Sequence, residues 1–358
     1  MFARSHYPLS ISPEQLDSYL ESGWYRMGQS VFTSAYIEIS NIVHRSIWLR
    51  VKLGELQNDP GFKKLMKLNS GFTVSIQPAS ISPEKEALFQ LYKTGISFQT
   101  YDSLENLLYR GADYNIFNTM EINLYDEDRL IAVGYFDVGN NGAAGISSFY
   151  LPVYKKHSLG KFLIYQKMLY CQNNHIKYYY LGYIAPGNKR LDYKLDIAKG
   201  QLEFYDLPTG EWKHINTYES VKGSIEETRQ KLFSLHELLG KENIETRFYK
   251  YLYHQINLYT GFEDAELFDH IMFLYCFPTN PDIIFPLLIV YDFRHNQYQL
   301  IECMSIGQSQ EQTEDPDIFS SDLLQTKEIL FSSESAQKMV DFIKTNVADK
   351  LKDQSPFV

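Results

Sequence analysis

Basic and aromatic side chains alternate between residues 150 and 199, and this stretch is the part of the chain whose residue types most clearly suit a binding or catalytic site. Residues 155–199 hold nine Lys and Arg against two carboxylates, a local excess of seven positive charges in a chain of net charge −10. Cations with flat rings between them suit a phosphodiester chain and its unstacked bases. A solvated lysine face with ordinary strand tyrosines is the alternative. The residues are Lys155, Lys156, Lys161, Lys167, Lys177, Lys189, Arg190, Lys194 and Lys199, and Tyr150, Tyr154, Tyr165, Tyr170, Tyr178, Tyr179, Tyr180, Tyr183 and Tyr193.

The residues His157-Ser-Leu-Gly160 form a short loop in front of a helical pattern. Ser158 stands at an N-cap position, and Gly160 allows a bound group to approach the backbone closely. The first turn of a helix presents N–H groups and the positive end of the helix dipole, which attract a phosphate or a carboxylate. The loop is therefore a candidate anion site, although one glycine in such a turn is also typical of an ordinary loop.

Hydrophobic periodicity predicts the elements that position this loop. Apolar residues at helical spacing predict a helix over residues 158–172, between strands over 145–151 and 177–184. Residues 119–125 and 129–138 form a predicted hairpin, so the order is strand, strand, strand, helix, strand. Upstream, the sequence predicts a capped helix between Ser12 and Gly23, strands over 31–39 and 46–52, and helices over 62–67 and 84–94.

Six short motifs resemble the arginyl- and leucyl-tRNA–protein transferases. Those enzymes move an amino acid from charged tRNA to a protein N-terminus on an acetyltransferase-like (GNAT) fold. The resemblance covers roughly residues 10–215, and the order and spacing of Ser-Leu-Gly and Tyr-Leu-Gly-Tyr are its most specific part. The motifs are Gly23-Trp-Tyr-Arg-Met-Gly28, Leu130-Ile-Ala-Val-Gly-Tyr-Phe-Asp137, Ile146-Ser-Ser-Phe-Tyr150, Ser158-Leu-Gly160, Tyr180-Leu-Gly-Tyr183 and Tyr193-Lys194.

The resemblance implies a fold and two substrates. We expect an α+β, GNAT-like acyltransferase domain over residues 1–215, with a mixed central sheet flanked by helices. Aminoacyl-tRNA is then the co-substrate, with arginine or leucine as the expected amino acid. The acceptor is the N-terminal amine of a protein or peptide, and neither a metal nor a cofactor is expected.

The resemblance also implies roles for single residues. Asp137 would take the proton of the acceptor amine, whose pKa is about 8, and Glu121 is the second candidate for this role. A cap on the turn at Asn140 is the alternative role for Asp137. Tyr183 is the second expected catalytic residue. The residues expected to bind tRNA or substrate are Trp24, Arg26, Gly28, Lys155, Lys156, Ser158, Leu159, Gly160, Tyr180, Gly182, Lys189, Tyr193 and Lys194.

Within this set, the backbone at Ser158 and Gly160 would hold the terminal phosphate or ribose. Tyr180 and Tyr183 would flank the aminoacyl-adenosine, with core packing as the alternative for both. Arg26 and Lys194 would contact phosphate or the acidic end of the substrate, with solvated surface charges as the alternative. For Trp24, a place in the core is favoured over a contact.

The chain departs from the family pattern at three places. Tyr25 stands where the family has an Arg, Lys93-Thr94 stands where it has Arg-His, and residues 32–36 lack its cysteine cluster. Two other functions therefore stay open. One is a GNAT enzyme that uses acyl-coenzyme A, although the loop at 157–160 lacks the [RQ]-x-x-G-x-[GA] pattern of those enzymes. The other is a binding protein of the same fold without catalytic activity.

The charge distribution divides the chain near residue 216. Residues 1–215 hold 22 basic and 21 acidic residues, whereas residues 216–358 hold 12 and 23, a net charge of −11. The second part reads as a smaller acidic α+β domain of unknown role, a poor surface for nucleic acid and a possible site for a protein partner. Its predicted elements are helices over 224–239, 242–258 and 335–351, strands over 271–276, 283–291 and 298–303, and an acidic loop over 308–317.

Composition favours a cytoplasmic protein. A hydrophobic content of 44% with 22% charged residues is ordinary for a globular chain, and no apolar run reaches the roughly 20 residues that cross a bilayer. The first residues lack the apolar core of a secretory signal. Three cysteines, at 171, 276 and 303, have no spacing suited to zinc. We therefore expect no contact with a membrane.

Overall fold

The computed structural model describes residues 2–54, 56–98, 100–219, 223–262, 265–276, 285–308, 318–319 and 322–348. It is an α+β structure, as predicted. Its helices are α1 Pro13–Glu21, α2 Pro60–Leu68, α3 Pro83–Thr94, α4 Leu104–Tyr109, α5 Leu159–Asn173, α6 Ile225–Lys241 and α7 Ala336–Phe342, which continues as a π-helical segment, Ile343–Ala348.

Among the described residues, two large sheets lie in successive parts of the chain, up to His214 and from Thr246, and two small sheets lie in the first 45 residues. The small sheets contain β1 Ala3–His6, β2 Tyr25–Arg26 and β3 Val31–Ser34, and β4 Tyr36–Ile39 and β5 Ile42–Arg45. The eight-stranded sheet contains β6 Ile47–Lys52, β7 Thr73–Pro78, β8 Thr119–Asp126, β9 Arg129–Val138, β10 Gly142–Tyr150, β11 Tyr178–Ile184, β12 Leu202–Asp206 and β13 Glu211–His214. The six-stranded sheet contains β14 Thr246–Tyr251, β15 Met272–Cys276, β16 Leu287–Asp292, β17 Gln297–Gln308, β18 Ile318–Phe319 and β19 Asp322–Ser333.

The eight-stranded sheet has the order β13-β12-β6-β11-β10-β9-β8-β7, and β10 and β11 are its parallel pair. The predicted run of three strands, a helix and a strand is confirmed as β8, β9, β10, α5 and β11. One expected strand differs: residues 31–39 form two strands. Ala35 separates them because its N–H donates to the Phe2 carbonyl while its own carbonyl accepts from Ser46, so the chain changes partners there.

The parallel strands β10 and β11 separate in the middle of this sheet. They pair only over residues 142–144 and 178–180, although β10 continues to Tyr150 and β11 to Ile184. Irregularities in their outer pairings lie at the same level, between Gly145 and Ser147 and between Tyr180 and Gly182. A bulge bends the strand that carries it. The two strands therefore diverge and leave a wedge-shaped gap.

Lys167 of α5 fills the inner side of this gap. Its side chain is buried, and Nζ donates to the carbonyls of Tyr135 and Ser147 at 2.9 and 3.0 Å and to Ser148 Oγ at 3.1 Å. Gly134 makes room for it, since a Cβ there would lie 2.8 Å from Lys167 Cε. Burial lowers the pKa of Lys167 to about 7. Hydrogen bonds from a core lysine thus hold β9 and β10 where β10 bends.

The second part packs α6 and α7 against the six-stranded sheet, whose order is β18-β14-β15-β16-β17-β19. The predicted strands appear as β15, β16 and β17, while residues 283–284 and 309–317 lie outside the described residues. The helix expected over 242–258 is wrong. Asn243 adopts the left-handed conformation (φ 58°) just after α6, and the run Thr246-Arg-Phe-Tyr-Lys-Tyr251, rich in residues that favour strands, pairs with β15.

The N-terminal segment belongs to the core of the second part. Phe2 is 4% exposed, and its ring packs against Tyr36, His270 and Phe293 with centroids 4.8–5.4 Å apart. The N–H groups of Phe2 and Ala3 donate to Asp269. The division at residue 216 therefore separates the two large sheets but not the hydrophobic clusters, and it remains a prediction as a domain boundary. In the described ranges, no helix combines the length and the apolar character needed to cross a membrane.

We expect Phe2→Ala to lower the free energy of unfolding by about 3–5 kcal/mol, because it removes a buried ring and leaves a cavity. Chemical denaturation of the full chain measures this change. Leu9→Ala is the control, since Leu9 is 93% exposed, and it should cost less than about 0.5 kcal/mol. A similarly small loss for Phe2→Ala would mean that the N-terminal segment does not stabilise the second core.

We expect the stability of the wild type relative to Lys167→Met to rise between pH 7 and pH 10. With a folded pKa of about 7 and an ordinary value of 10.5, the unfolded chain binds a proton in this window that the folded chain does not. Denaturation of both proteins at several pH values gives the difference. Lys177→Met, at an exposed strand end, should show no such trend. A flat difference for Lys167→Met would mean that Lys167 stays charged in the core.

Candidate active site

Two cavities open where β10 and β11 separate. The helix-side cavity has a volume of about 440 Å³ and extends toward the N-terminus of α5. The Asp137-side cavity has a volume of about 410 Å³ and extends toward β2 and α4. The two share Gly145, Ile146, Leu181 and Lys194 in their walls, so they form one cleft with two ends.

The helix-side cavity is suited to an anion. Among the described residues, its walls include four lysines and no Asp or Glu: Lys155, Lys161, Lys167 and Lys194. Ser158 is at the predicted N-cap position, but its φ of 52° is left-handed and its side chain makes no capping hydrogen bond. The first N–H groups of α5 are therefore not capped by Ser158, and these are groups that a helix leaves without internal partners.

Gly160 borders this cavity with open space above it. A Cβ at Gly160 would meet only Tyr150, at an ordinary distance of 3.8 Å. The packing of the protein does not require a glycine at this position. The space beside Gly160 is therefore open to a group bound in the cavity. The Tyr193 ring, 37% exposed, lines the same end of the cleft.

The predicted basic surface is smaller than the sequence indicates. Lys155 and Lys156 are exposed on the turn before α5, but only Lys155 lines the cavity. Lys189 is exposed on the loop after β11 and lines neither cavity. Lys167 is inside the core. Lys194 is half-buried. The tyrosines divide in the same way, since Tyr165, Tyr179 and Tyr180 are buried.

Asp137 lies at the other end of the cleft, in an ion pair with Arg26. Arg26 Nη1 is 2.9 Å from Asp137 Oδ1, and Thr119 Oγ1 donates to the same oxygen at 2.6 Å. The guanidinium also donates to Thr119 Oγ1 at 3.0 Å, to the Gly28 carbonyl at 2.8 Å and to the Leu108 carbonyl. Its donors are used inside the protein, so Arg26 is placed to hold Asp137 and not to bind a phosphate.

The second oxygen of Asp137 is not used by the ion pair. Oδ2 is buried and has no hydrogen-bond partner within the described part of the chain, and Asp137 lines the cavity. Burial raises the pKa of Asp137, and this effect outweighs the opposing effects of Arg26 and Thr119. A carboxylate with a raised pKa is a stronger base than a solvated one. Asp137 can therefore accept a proton from a group that enters this cavity.

Lys194 lies where the two cavities meet, and Tyr183 lies beside it in the wall of the Asp137-side cavity. Lys194 Nζ donates to the Tyr183 carbonyl at 2.7 Å and lies 5.4 Å from the centre of the Tyr183 ring. Burial, together with the charge of Arg190, lowers the pKa of Lys194 to about 8. The Tyr183 ring packs edge-on against Trp48, and burial raises the pKa of its hydroxyl. Gly182 has a φ of 79°, and a Cβ there would lie 3.4 Å from Lys194 Nζ.

Other predicted site residues are not in the cleft walls. Tyr180 is 2% exposed, and its hydroxyl donates to Glu21 at 3.2 Å, so it packs in the core and does not flank a ligand. Trp24 packs against His6 and Tyr19. Leu159 is fully buried. Glu121 is buried and ion-paired with Lys85 at 2.5 Å; burial acts to raise its pKa, but the hydrogen bonds from Lys85, Ser80 and Asn123 outweigh it and lower the pKa.

Three residues that shape the site belong to no motif that predicts their role. Thr119 is the cross-strand neighbour of Asp137, but only because the pairing shifts by one residue after Leu124, which the sequence does not indicate. Lys167 is one of the nine cations of the basic stretch, and its spacing does not indicate that it is buried. Arg110 follows α4 and lines the Asp137-side cavity, where Gly28 adjoins its side chain. Tyr25, at the place of a family Arg, stacks on Trp48 at 3.9 Å and fills the core beside the site.

Residues 84–203 match the family described as arginine-tRNA-protein transferase, C terminus. The aspartate/glutamate leucyltransferase of Leptospira interrogans is 27% identical over 202 residues, which cover 55% of this chain and 77% of that protein. The enzyme of the same name from Acinetobacter baylyi is 25% identical over 203 residues, which cover 54% of this chain and 70% of that enzyme.

Two solved structures show a weaker likeness. A GCN5-related N-acetyltransferase from Kribbella flavida has a TM-score of 0.28 at 12% identity and covers 45% of this chain and 54% of its own. L-PGS from Bacillus licheniformis has a TM-score of 0.29 at 12% identity and covers 50% of this chain and 52% of its own.

The matched family region begins in α3 and ends in β12, so it includes β8, β9, β10, α5 and β11, the elements that form the cleft. The motifs, the order of these elements and the relatives agree. Through its eight-stranded-sheet part, this chain is similar to the arginine-tRNA-protein transferases and to the aspartate/glutamate leucyltransferases.

Proposed function

We propose that this chain transfers an amino acid from charged tRNA to the N-terminal amine of a protein or peptide. The observation that carries the proposal is the cleft with two different ends. Among the described residues, one end offers lysines and a helix N-terminus without a carboxylate, and the other offers a carboxylate with an unpartnered oxygen. An anionic donor and a cationic acceptor amine could enter from opposite ends and meet beside Lys194 and Tyr183.

The 3′ end of aminoacyl-tRNA would occupy the helix-side cavity. Lys155, Lys161 and the first N–H groups of α5 would bind its phosphate, because these cations and donors line one wall. Gly160 would allow the ribose or phosphate to approach the backbone. The aminoacyl ester would then lie near the gap between β10 and β11.

The acceptor amine would occupy the Asp137-side cavity. Its neutral nitrogen attacks the ester carbonyl, a C–N bond forms, and the bond from the carbonyl carbon to the ribose oxygen breaks. Asp137 takes the proton that the nitrogen loses, and the departing ribose oxygen receives it. The ester is already activated, so alignment of the two groups supplies much of the acceleration. No metal or cofactor is needed for this step.

The relatives favour leucine as the amino acid and acceptors that begin with Asp or Glu, since both carry the name aspartate/glutamate leucyltransferase. Charged tRNA is a cytoplasmic substrate, which supports a cytoplasmic location. The acidic part after residue 216 is a candidate surface for a protein partner, because its net charge of −11 disfavours nucleic acid.

We expect Asp137→Asn to lower the transfer rate by roughly 10²–10⁴-fold, because the amide cannot accept the proton. Binding of charged tRNA should hardly change, and part of the lost rate should return at higher pH, where more of the amine is deprotonated. Transfer to a peptide from purified aminoacyl-tRNA measures the effect.

The matched control for Asp137→Asn is Glu121→Gln. Both changes break a buried ion pair, but Glu121 lies outside both cavities. Melting curves identify the folded fraction of each variant. If the two variants transfer equally well per folded molecule, Asp137 holds Arg26 and does not act as the base.

We expect Lys155→Ala/Lys156→Ala/Lys189→Ala to weaken tRNA binding and reduce its salt dependence. Each lost phosphate contact should lower the slope of log K against log salt by about 0.7–0.9, because fewer counterions are released. Lys63→Ala/Lys64→Ala/Lys67→Ala on α2 removes the same charge from exposed positions outside the cleft and is the control. Equal slopes for both triple variants would place tRNA elsewhere.

A further inference from the structure

Three cations line the Asp137-side cavity, and they differ in what they already bind. Arg26 donates to Asp137, Thr119 and two carbonyls, so its guanidinium is occupied. Lys194 donates to the Tyr183 carbonyl. The guanidinium of Arg110 forms neither a hydrogen bond nor an ion pair with any residue that the structure describes. Arg110 is therefore the cation of this cavity that remains open to a ligand.

The position of Arg110 is built by its surroundings. It ends α4 in the left-handed conformation (φ 49°), with its N–H bonded to the Asn106 carbonyl. Its aliphatic carbons lie against Gly28, where a Cβ would come within 2.6 Å of Arg110 Cδ. Gly28 itself has a φ of 65°, so a side chain there is disfavoured twice. The Gly28 carbonyl also accepts a hydrogen bond from Arg26 Nε at 2.8 Å. Gly28 therefore contacts both Arg110 and the arginine that is paired with Asp137.

We propose that Arg110 binds the side-chain carboxylate of an acceptor whose first residue is Asp or Glu. The inference rests on the proposed function and adds the residue that selects the acceptor. An N-terminal Asp carries its ammonium and its side-chain carboxylate on neighbouring carbons, and in Glu one further methylene separates them. The cavity offers the opposite charges, the unpartnered Oδ2 of Asp137 and the guanidinium of Arg110. A guanidinium binds a carboxylate through two parallel hydrogen bonds, which favours it over an amide or a cationic side chain.

The charges near Arg110 favour an acidic peptide over tRNA as its ligand. Asp102 lines the adjoining pocket together with Arg110, Tyr101 and Asn106, and Asp137 lies in the same cavity. A phosphodiester chain that passed Arg110 would meet these carboxylates, whereas a single carboxylate needs only the one guanidinium. The lysine-lined end of the cleft is the better place for phosphates.

The test compares acceptor peptides that differ only in their first residue, Asp, Asn or Lys. For the wild type we expect the Asp peptide to exceed the Asn peptide in kcat/KM by about 10–100-fold, the range of a hydrogen bond to a charged group. Arg110→Gln should bring this ratio close to one. Arg110→Glu should reverse the preference between the Asp and Lys peptides. Arg129→Glu makes the same charge change on an exposed arginine at the turn between β8 and β9, outside the cavities, and should leave all ratios unchanged.

Binding of the same fluorescent peptides to the full chain, without tRNA, provides a second readout. A loss of the Asp-over-Asn preference in Arg110→Gln, with unchanged affinity for charged tRNA, supports the proposal. Unchanged peptide preferences in both Arg110 variants would overturn it, as would an equal loss for every peptide together with weaker tRNA binding, which would assign Arg110 to tRNA. If the wild type transfers to no peptide, the proposed function fails, and the binding preferences alone decide the role of Arg110.

Discussion

The buried ion pair between Arg26 and Asp137 is the interaction on which the cleft depends. Moving two charges out of water costs free energy, and the pair repays this only when their remaining donors and acceptors are also bonded. Thr119, the Gly28 carbonyl and the Leu108 carbonyl bond to the pair and connect it to β8, the loop after β2 and α4. One oxygen of Asp137 is left without a partner in the described chain. Oδ1 of Asp137 thus holds the ion pair in place, whereas Oδ2 is left for a bound group.

The position of the cleft follows from the separation of β10 and β11. Parallel strands in the middle of a sheet are normally covered on both faces, so a gap between them exposes backbone groups that need partners. Lys167 supplies hydrogen bonds on the inner side. On the outer side, the gap remains open and joins the two cavities. A bend in two strands therefore accounts for both the place of the site and its two ends.

The acidic part of the chain has its own sheet but not an independent core. Phe2 and Tyr36 come from the first part and pack among Phe293, Leu300 and Met339 of the second. The N-terminal segment also pairs through β1 with β3, next to the strand that carries Arg26. The N-terminal segment therefore connects the core of the second part to the small sheet that carries Arg26, the partner of Asp137. The charge division marks two sheets, and the packing joins them.

The sequence by itself determined the order of the elements around the cleft, since strand and helix periodicities differ and polar turns separate them. It also determined the resemblance to the tRNA–protein transferases and the place of Asp137 near a strand end. Only the tertiary structure decided which residues meet. Arg26 and Asp137 are 111 positions apart. A regular hairpin closed by Asp126 and Arg129 would set residue 118 opposite Asp137, but an irregularity after Leu124 brings Thr119 there.

The sequence also does not determine which lysines and tyrosines of the basic stretch are buried. Lys155 and Lys167 are alike in sequence, yet one lies in solvent and the other bonds carbonyls at a bulge. Tyr180 and Tyr193 differ in the same way. Arg110 belongs to no motif and gains its place from Gly28, which is distant in the chain. Residue type determines which bonds a side chain can form, whereas burial and partners determine which it does form, and these arise from contacts between distant segments.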